Sequence, residues 1–412
     1  MIEIVLLVLL LGTFTPLNIF YSLLGFSKDT KNWKRYFLTA LLFVFVVSYN
    51  YHPAGNSDLV RYVEWIKIGK KLSLLSYIDF MGDGLYVSNF LFWLAGQLEM
   101  PYLVPAFTTT VVYAVTIYIT CDFAEKNNLQ SVIPYVLIVQ VLLLPYVTII
   151  NNVRNVFAFS LVIYAAYRDI YLKKRNIQTY LLYFLPVFVH KTSFVLIAIR
   201  LLSIVVGKYM LLSLVVAFLI PTILTVSVPY ISTIASFGTI GKIVGQALLT
   251  GYNAMNSTTA WAITVMTGKY YLLNRYFSYF MSGLFLLIGS SNFKKINFKD
   301  NIYAKRYIYF FSLICVITIA TNVFRTPVYW RFFAAVVIAT GPILLLLLKE
   351  MRVFKLKTSQ IWLILLGFGL FFLALQFYGT THEIDYKDWL LSIIFNPMLN
   401  IFRELIFSII RL

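Results

Sequence analysis

The chain has 412 residues, of which 60% are hydrophobic, 18% aromatic and 12% charged. Soluble domains carry roughly 25% charged residues, so an ordinary cytosolic enzyme is excluded and most of the chain is expected in lipid. The net charge of +18 does not mark a nucleic-acid partner, because the 34 basic residues sit in short loops between apolar runs and not on a water-soluble face.

A helix crossing a bilayer core of about 30 Å needs roughly 20 apolar residues. In chain order the runs predict crossings over 2–26, 36–50, 102–121, 131–150, 155–172, 209–228, 270–291, 307–324, 328–348 and 361–379. The first opens with Glu3, lacks a basic start and has no small-residue cleavage site, so it reads as a helix and not a signal peptide. Lysine and arginine collect in cytoplasmic loops. Half of the 34 basic residues fall in four clusters: Lys28, Lys31, Lys34 and Arg35; Arg168, Lys173, Lys174 and Arg175; Lys294, Lys295, Lys299, Lys305 and Arg306; Lys349, Arg352, Lys355 and Lys357. With all four inside, the N-terminus and the loop 51–84 lie outside.

Parity then constrains two segments. Segment 85–98 is short and polar at Ser88, Asn89 and Gln97, so it reads as an interfacial helix within an outer region 51–100. Segment 179–206 must start and end inside, and it is split by Pro186 and by His190-Lys191-Thr192-Ser193. It reads as a re-entrant hairpin with that polar quartet at its tip, a form tolerated where it lines protein or a watery cavity. Residues 229–269 form a second outer loop, holding Tyr230, Tyr252 and Trp261. The stretch 390–412, with Asn396, Pro397, Arg403 and Glu404, is either an interfacial helix or an eleventh crossing. The expected fold is therefore all-α: one polytopic membrane domain over 1–412, with about ten or eleven crossings, the re-entrant hairpin and interfacial helices.

Ionisable groups near membrane depth are costly and are functional candidates. Cys121 and Cys315 lie in apolar runs, and His52, His190 and His382 are far apart, so neither a disulfide framework nor a metal site is expected. Several basic residues fall on the outside, where cytoplasmic retention does not explain them. Arg154 (IINNVRNVF) sits at an outer turn, Arg325 and Arg331 (FRTPVYWRF) flank another, and Arg61 follows Asp58 in the first outer loop. His190 and Lys191 occupy the hairpin tip. A guanidinium binds phosphate through a rigid bidentate fork, so these bases suit a lipid-attached diphosphate. Arginine at a helix end also snorkels to headgroups, His190 also fits a core histidine on a carbonyl, and Asp58 also fits a helix cap. In the functional reading, His190 is a general base or a sugar-hydroxyl ligand, and Asp58 acts in catalysis or sugar binding.

The order of these features resembles a known family. An Asp-x-x-x-Tyr in the first outer loop (Asp58 to Tyr62) precedes an arginine opening an apolar helix (Arg154), then a basic loop, then an apolar run ending in His-x-x-Ser (His190 to Ser193). This resembles the EpsG-like branch of the Wzy-type bacterial polysaccharide polymerases, over roughly residues 30–210. The resemblance implies polymerisation of oligosaccharide repeat units carried on undecaprenyl diphosphate, at the outer face of the bacterial cytoplasmic membrane, for exopolysaccharide, capsule or O-antigen. The growing glycan would pass from its lipid diphosphate to a hydroxyl of a new lipid-linked unit, without metal or other cofactor. The lipid bilayer, a chain-length regulator and a flippase are the accompanying partners it suggests. It also carries over Arg154 and His190, with Asp58, as site residues; Arg61, Lys191, Arg325 and Arg331 rest on topology.

Two other readings stay open. A glycosyltransferase using polyprenyl monophosphate sugars would also place an acidic residue such as Asp58 in its first outer loop. A flippase or exporter of lipid-linked oligosaccharide would be expected to show internal repeats and midplane charges, which this sequence does not display.

Overall fold

The structure, a computed structural model, describes residues 33–51, 53, 57–144, 146–204, 268–295, 302–323, 329–353 and 358–380, with short stretches between 212 and 249. The expected crossing 2–26, most of 209–228, most of the loop 229–269 (Tyr252 and Trp261 included), Arg325 and the stretch 390–412 lie outside the described residues. Among the described residues all regular structure is helical, and the protein is an all-α membrane protein.

In chain order the helices are α1 (Trp33–Tyr49), α2 (Asp58–Gly69), α3 (Leu74–Met81), α4 (Tyr86–Gln97), α5 (Leu103–Lys126), α6 (Ile133–Leu143), α7 (Tyr146–Asn151) and α8 (Asn155–Ala166). They continue as α9 (Ile177–Val189), α10 (Ser193–Leu202), α11 (Ile231–Ala235), α12 (Lys269–Lys295), α13 (Ile302–Val323), α14 (Tyr329–Ala339), α15 (Gly341–Val353) and α16 (Thr358–Thr380). Among the described residues, Leu103–Lys126 and Ile302–Thr321 are each long and apolar enough to cross a bilayer. Helices α14 and α15 reach that length only together, and they are bent by 51° at their junction.

Two expected crossings are therefore interrupted. The segment 131–150 stops at Leu143, because Leu144 is extended (φ −85, ψ 107) ahead of Pro145. Proline disfavours helical backbone in the residue before it. The segment 328–348 breaks at Thr340, whose carbonyl accepts from Ile343 and Leu344 and so starts α15 afresh across Gly341-Pro342. Proline suits the first turn of a helix, where its missing N–H has no partner to lose.

The chain divides into two compact units, Met1–Phe157 with Leu356–Leu412, and Ala158–Lys355. In the first, α1 packs along α5, and Trp33 donates to Glu125 (3.0 Å). Thr108 and Thr116 of α5 return their hydroxyls to carbonyls one turn back, and Thr120 donates to Gln140 of α6 (2.7 Å). These three hydroxyls are thus satisfied within the protein, whereas the buried Thr109 hydroxyl has no hydrogen-bond partner among the described residues.

Helices α2, α3 and α4 build the region 51–100. Gly69 and Gly96 let α2 and α4 touch backbone to backbone: a Cβ on Gly96 would lie 2.3 Å from the Ile66 carbonyl oxygen. Gln97 donates to the Gly69 carbonyl (2.8 Å), Trp93 to that of Leu72 (3.0 Å) and Tyr77 to that of Trp65 (3.0 Å), closing the end of α2. The polar residues of α4 are thus spent inward, while Tyr86, Phe90 and Leu94 form an exposed apolar stripe at helical spacing. That inverted face suits a helix lying at the bilayer surface.

In the second unit α12, α13 and α14 pack together, and α8 passes through a π turn at Tyr167–Tyr171. Helices α9 and α10 form a hairpin broken at His190–Thr192. Its two ends meet: Arg168 bonds Asn176, Gln178 and Thr179 at the start of α9, and Asp169 bonds Arg200 near the end of α10. At 1.5 Å per residue the arms are about 20 Å and about 15 Å long, too short to span a core of about 30 Å. The hairpin returns to the level at which it began.

Candidate functional site

The first unit gathers charge beside α2, α3 and α4. Arg154 lies in the turn between α7 and α8. Its Nη1 donates to Asp83 Oδ2 (2.9 Å), with the two side chains 12% and 28% exposed. Its guanidinium lies 5.2 Å from the Tyr62 ring centre and 5.3 Å from that of Trp65. Arg61 approaches the same two rings, at 5.8 and 5.2 Å, and pairs with Asp58 at 2.8 Å. Asp58, Arg61 and Arg154 are therefore neighbours around one aromatic pair. The spacing of α2 explains it: Asp58, Arg61, Tyr62 and Trp65 fall at successive turns of one helix. Ser57, not Asp58, stands at the N-cap position of α2.

Asp83 is the residue that sequence reasoning missed. It sits between Gly82 and Gly84, both with positive φ (56° and 70°), which turns the chain sharply into α4. Its Oδ1 accepts from the Leu85 N–H and from Asn89 Nδ2, each at 2.9 Å, and its other oxygen takes Arg154. With three donors the carboxylate is fixed in place. A Gly-Asp-Gly before an amphipathic helix was the available signal.

Arg154 keeps one donor in reserve. Its Nε is buried and has no hydrogen-bond partner among the described residues. Asn89 Oδ1 is in the same condition. A buried polar group left unpaired is costly; a ligand oxygen would relieve the Arg154 donor, and a ligand hydroxyl could donate to Asn89 Oδ1. Tyr77, outside the spans, is held protonated: burial and then the Asp83 charge push its hydroxyl above the ordinary range, against a smaller opposing effect of Arg154.

The remaining expected residues lie in the second unit. His190 is extended (φ −158, ψ 126) and closes α9 through its N–H to the Pro186 carbonyl (2.9 Å). Its Nδ1 accepts from the Thr192 N–H (3.2 Å) and stands 2.7 Å from the Thr192 hydroxyl. An Nδ1 that accepts a backbone N–H carries no proton, so the neutral ring holds its proton on Nε2. Lys191 occupies the next position of the hairpin turn, half-buried. Arg331 stacks on the Trp330 ring at 5.0 Å, and Trp330 packs against Tyr279. Arg275, also missed in the sequence, is buried in α12, one turn before Tyr279, with its Nε unpartnered among the described residues. An arginine one and a half turns inside an apolar helix was its signal. Among the described residues no three His, Cys, Asp or Glu side chains converge in a metal-binding group.

Guanidiniums over aromatic faces, in an all-helical membrane scaffold, define a membrane protein suited to an anionic ligand that also presents rings or hydroxyls. The chain belongs to the EpsG family, which matches residues 33–390 and so extends well beyond the motifs of 30–210. That membership suggests a polysaccharide-polymerase type of function and a glycosyltransferase-like activity. No curated protein and no solved structure shows a significant similarity to the chain.

Proposed function

We propose that the protein polymerises oligosaccharide repeat units carried on undecaprenyl diphosphate, with its site facing the outside of a bacterial cytoplasmic membrane. The observation that carries this reading is Arg154: one end fixed by Asp83, its plane set against Tyr62 and Trp65, and a buried Nε without a partner. In the reaction the bond from the sugar anomeric carbon to the diphosphate oxygen breaks, and a bond to the acceptor hydroxyl oxygen forms. Negative charge grows on the departing diphosphate, and Arg154 with Arg61 stabilises it. Fixed donors of this kind act mainly on charge that develops in the transition state.

The acceptor hydroxyl must lose its proton. Asp58 is the carboxylate suited to receive it, because among the described residues it accepts only from Arg61 and is 40% exposed, whereas Asp83 is held by three donors. Asp83 is the positioning residue for Arg154. His190 and Lys191 are assigned to substrate contact as well, with the neutral His190 ring donating from Nε2 to a sugar or diphosphate oxygen. Arg325 and Arg331 complete the set of diphosphate-binding candidates.

The test is reconstitution of the purified protein with an undecaprenyl-diphosphate oligosaccharide, followed by gel and mass analysis. A ladder of repeat units with released undecaprenyl diphosphate is expected. A competent substrate that stays one unit long would sink the polymerase reading, and a monophosphate-linked sugar donor would be tried next.

A further inference from the structure

A second basic site lies within the unit Ala158–Lys355 and shares no residue with the set proposed for diphosphate. A small open pocket of about 80 Å³ is lined by Ile170, Arg175, Arg200, Ser203, Ile204 and Arg306. Three guanidiniums thus meet from the π turn's exit, the end of α10 and the start of α13. Asp169 ties two of them: it takes Arg175 Nε at 2.7 Å and both Nε and Nη2 of Arg200. Arg200 is buried and also donates to Ser203 (3.2 Å). Arg306 makes no ion pair among the described residues and only leans over the Tyr303 ring, at 5.9 Å. The Nη groups of Arg175 have no hydrogen bond among the described residues, since its one bond runs through Nε. One carboxylate against three guanidiniums leaves positive charge presented as open bidentate forks, the geometry that suits phosphate.

Its position gives the ligand's source. Arg175 and Arg306 belong to two basic clusters that the positive-inside rule assigns separately to the cytoplasmic side. The structure brings these clusters together, with Lys173 standing over the Tyr303 ring at 3.7 Å. Beside the arginines the lining turns apolar and outward: Ile204 is 64% exposed, and Leu201 close by is 59% exposed. A charged cradle with an exposed apolar flank at the inner bilayer surface fits a phosphate that carries acyl chains.

We propose that this pocket binds the phosphate of an anionic phospholipid at the cytoplasmic interface. The test uses the purified full chain and native mass spectrometry with phosphatidylglycerol, phosphatidylcholine or inorganic phosphate. Phosphatidylglycerol should bind and phosphatidylcholine should not. Arg306→Gln and Arg175→Gln should each weaken binding about tenfold, the worth of one charge-assisted pair. Both side chains are exposed, so the fold should survive, and unfolding temperature checks that. Lys174→Gln, an exposed neighbour outside the lining, should leave affinity within about twofold, as expected of a screened surface charge. Equal retention of phosphatidylglycerol by the two arginine variants, or an equal loss in Lys174→Gln, would overturn the site. Binding of inorganic phosphate alone, with the same dependence on Arg306, would overturn the lipid source.

Discussion

Replacing Arg154 by alanine separates its two roles. For stability, the change removes one hydrogen bond to Asp83 and two ring contacts. Breaking a fully buried pair costs about 3–5 kcal/mol, but this one is partly exposed. Asp83 also keeps its donors from Leu85 and Asn89, so no bare carboxylate remains. Screening then brings the ionic part down to about 1–2 kcal/mol, and the ring contacts add about 0.5–1 kcal/mol. The protein should still insert and fold, with an unfolding temperature lower by several degrees. For chemistry, losing a donor aimed at developing charge costs about a hundredfold to a thousandfold in rate. Reconstituted chain growth should therefore collapse to single units, although the protein still inserts and folds. Arg154→Lys should recover little, because an ammonium restores the charge but not the fork. Asp83→Asn should slow chain growth alone yet add nothing in the Arg154→Ala background, as expected of a residue acting through another. Wild-type ladders from Arg154→Ala would refute the reasoning.

Three further outcomes follow from the same geometry. Gly96→Ala drives a Cβ to 2.3 Å from the Ile66 carbonyl oxygen, so it should cost about 3 kcal/mol or more. Gly82→Ala, with φ +56° but no backbone in its way, should cost only about 1–2 kcal/mol; detergent unfolding curves compare the two. Asp169→Asn leaves Arg200, buried at the foot of the hairpin, facing an amide, and the expected loss is about 3 kcal/mol. An unfolding temperature unchanged from wild type would show that the pair does not hold the hairpin. For His190, a ring that donates from Nε2 predicts that His190→Gln keeps chain growth within about tenfold, while His190→Ala loses more. Equal inactivity of both variants would favour a base.

The sequence pattern made some levels of this molecule readable and hid others. Helix type follows from apolar runs, because every backbone group in lipid must be paired within its own segment. The hairpin was readable for a related reason: four polar residues at 190–193 stand where a span would need apolar ones. The break after Leu143 was not, since a run of apolar residues masks what Pro145 does to the backbone ahead of it. At the site, Arg154 stands out in the sequence as a base that the expected cytoplasmic clusters do not account for. Asp83 did not, because an aspartate between two glycines has the composition of any turn, and its partner is 71 positions away. Arg200 and Asp169 are likewise 31 positions apart, and only folding shows that they neutralise each other. Residue type marks a costly group; the partner that makes it tolerable is a property of the fold.

The hairpin carries the most exposed consequence of this topology. If α9 and α10 return to one side, then positions 174 and 204, before and after the hairpin, must face the same compartment. A single crossing would put them on opposite sides. The arms, about 20 Å and about 15 Å long, could reach across only if joined end to end. That arrangement would pull Arg200 away from Asp169 and the start of α9 away from Arg168. Lys174→Cys and Ile204→Cys, each made alone, test this with a membrane-impermeant maleimide. Both side chains are exposed, and the native Cys121 and Cys315 are fully buried, so background labelling should be low. Both variants should react in inverted membrane vesicles and neither in intact cells. Labelling of Ile204→Cys from outside would turn the hairpin into a span. It would also move the arginine pocket off the cytoplasmic surface and reverse the side assigned to every helix that follows.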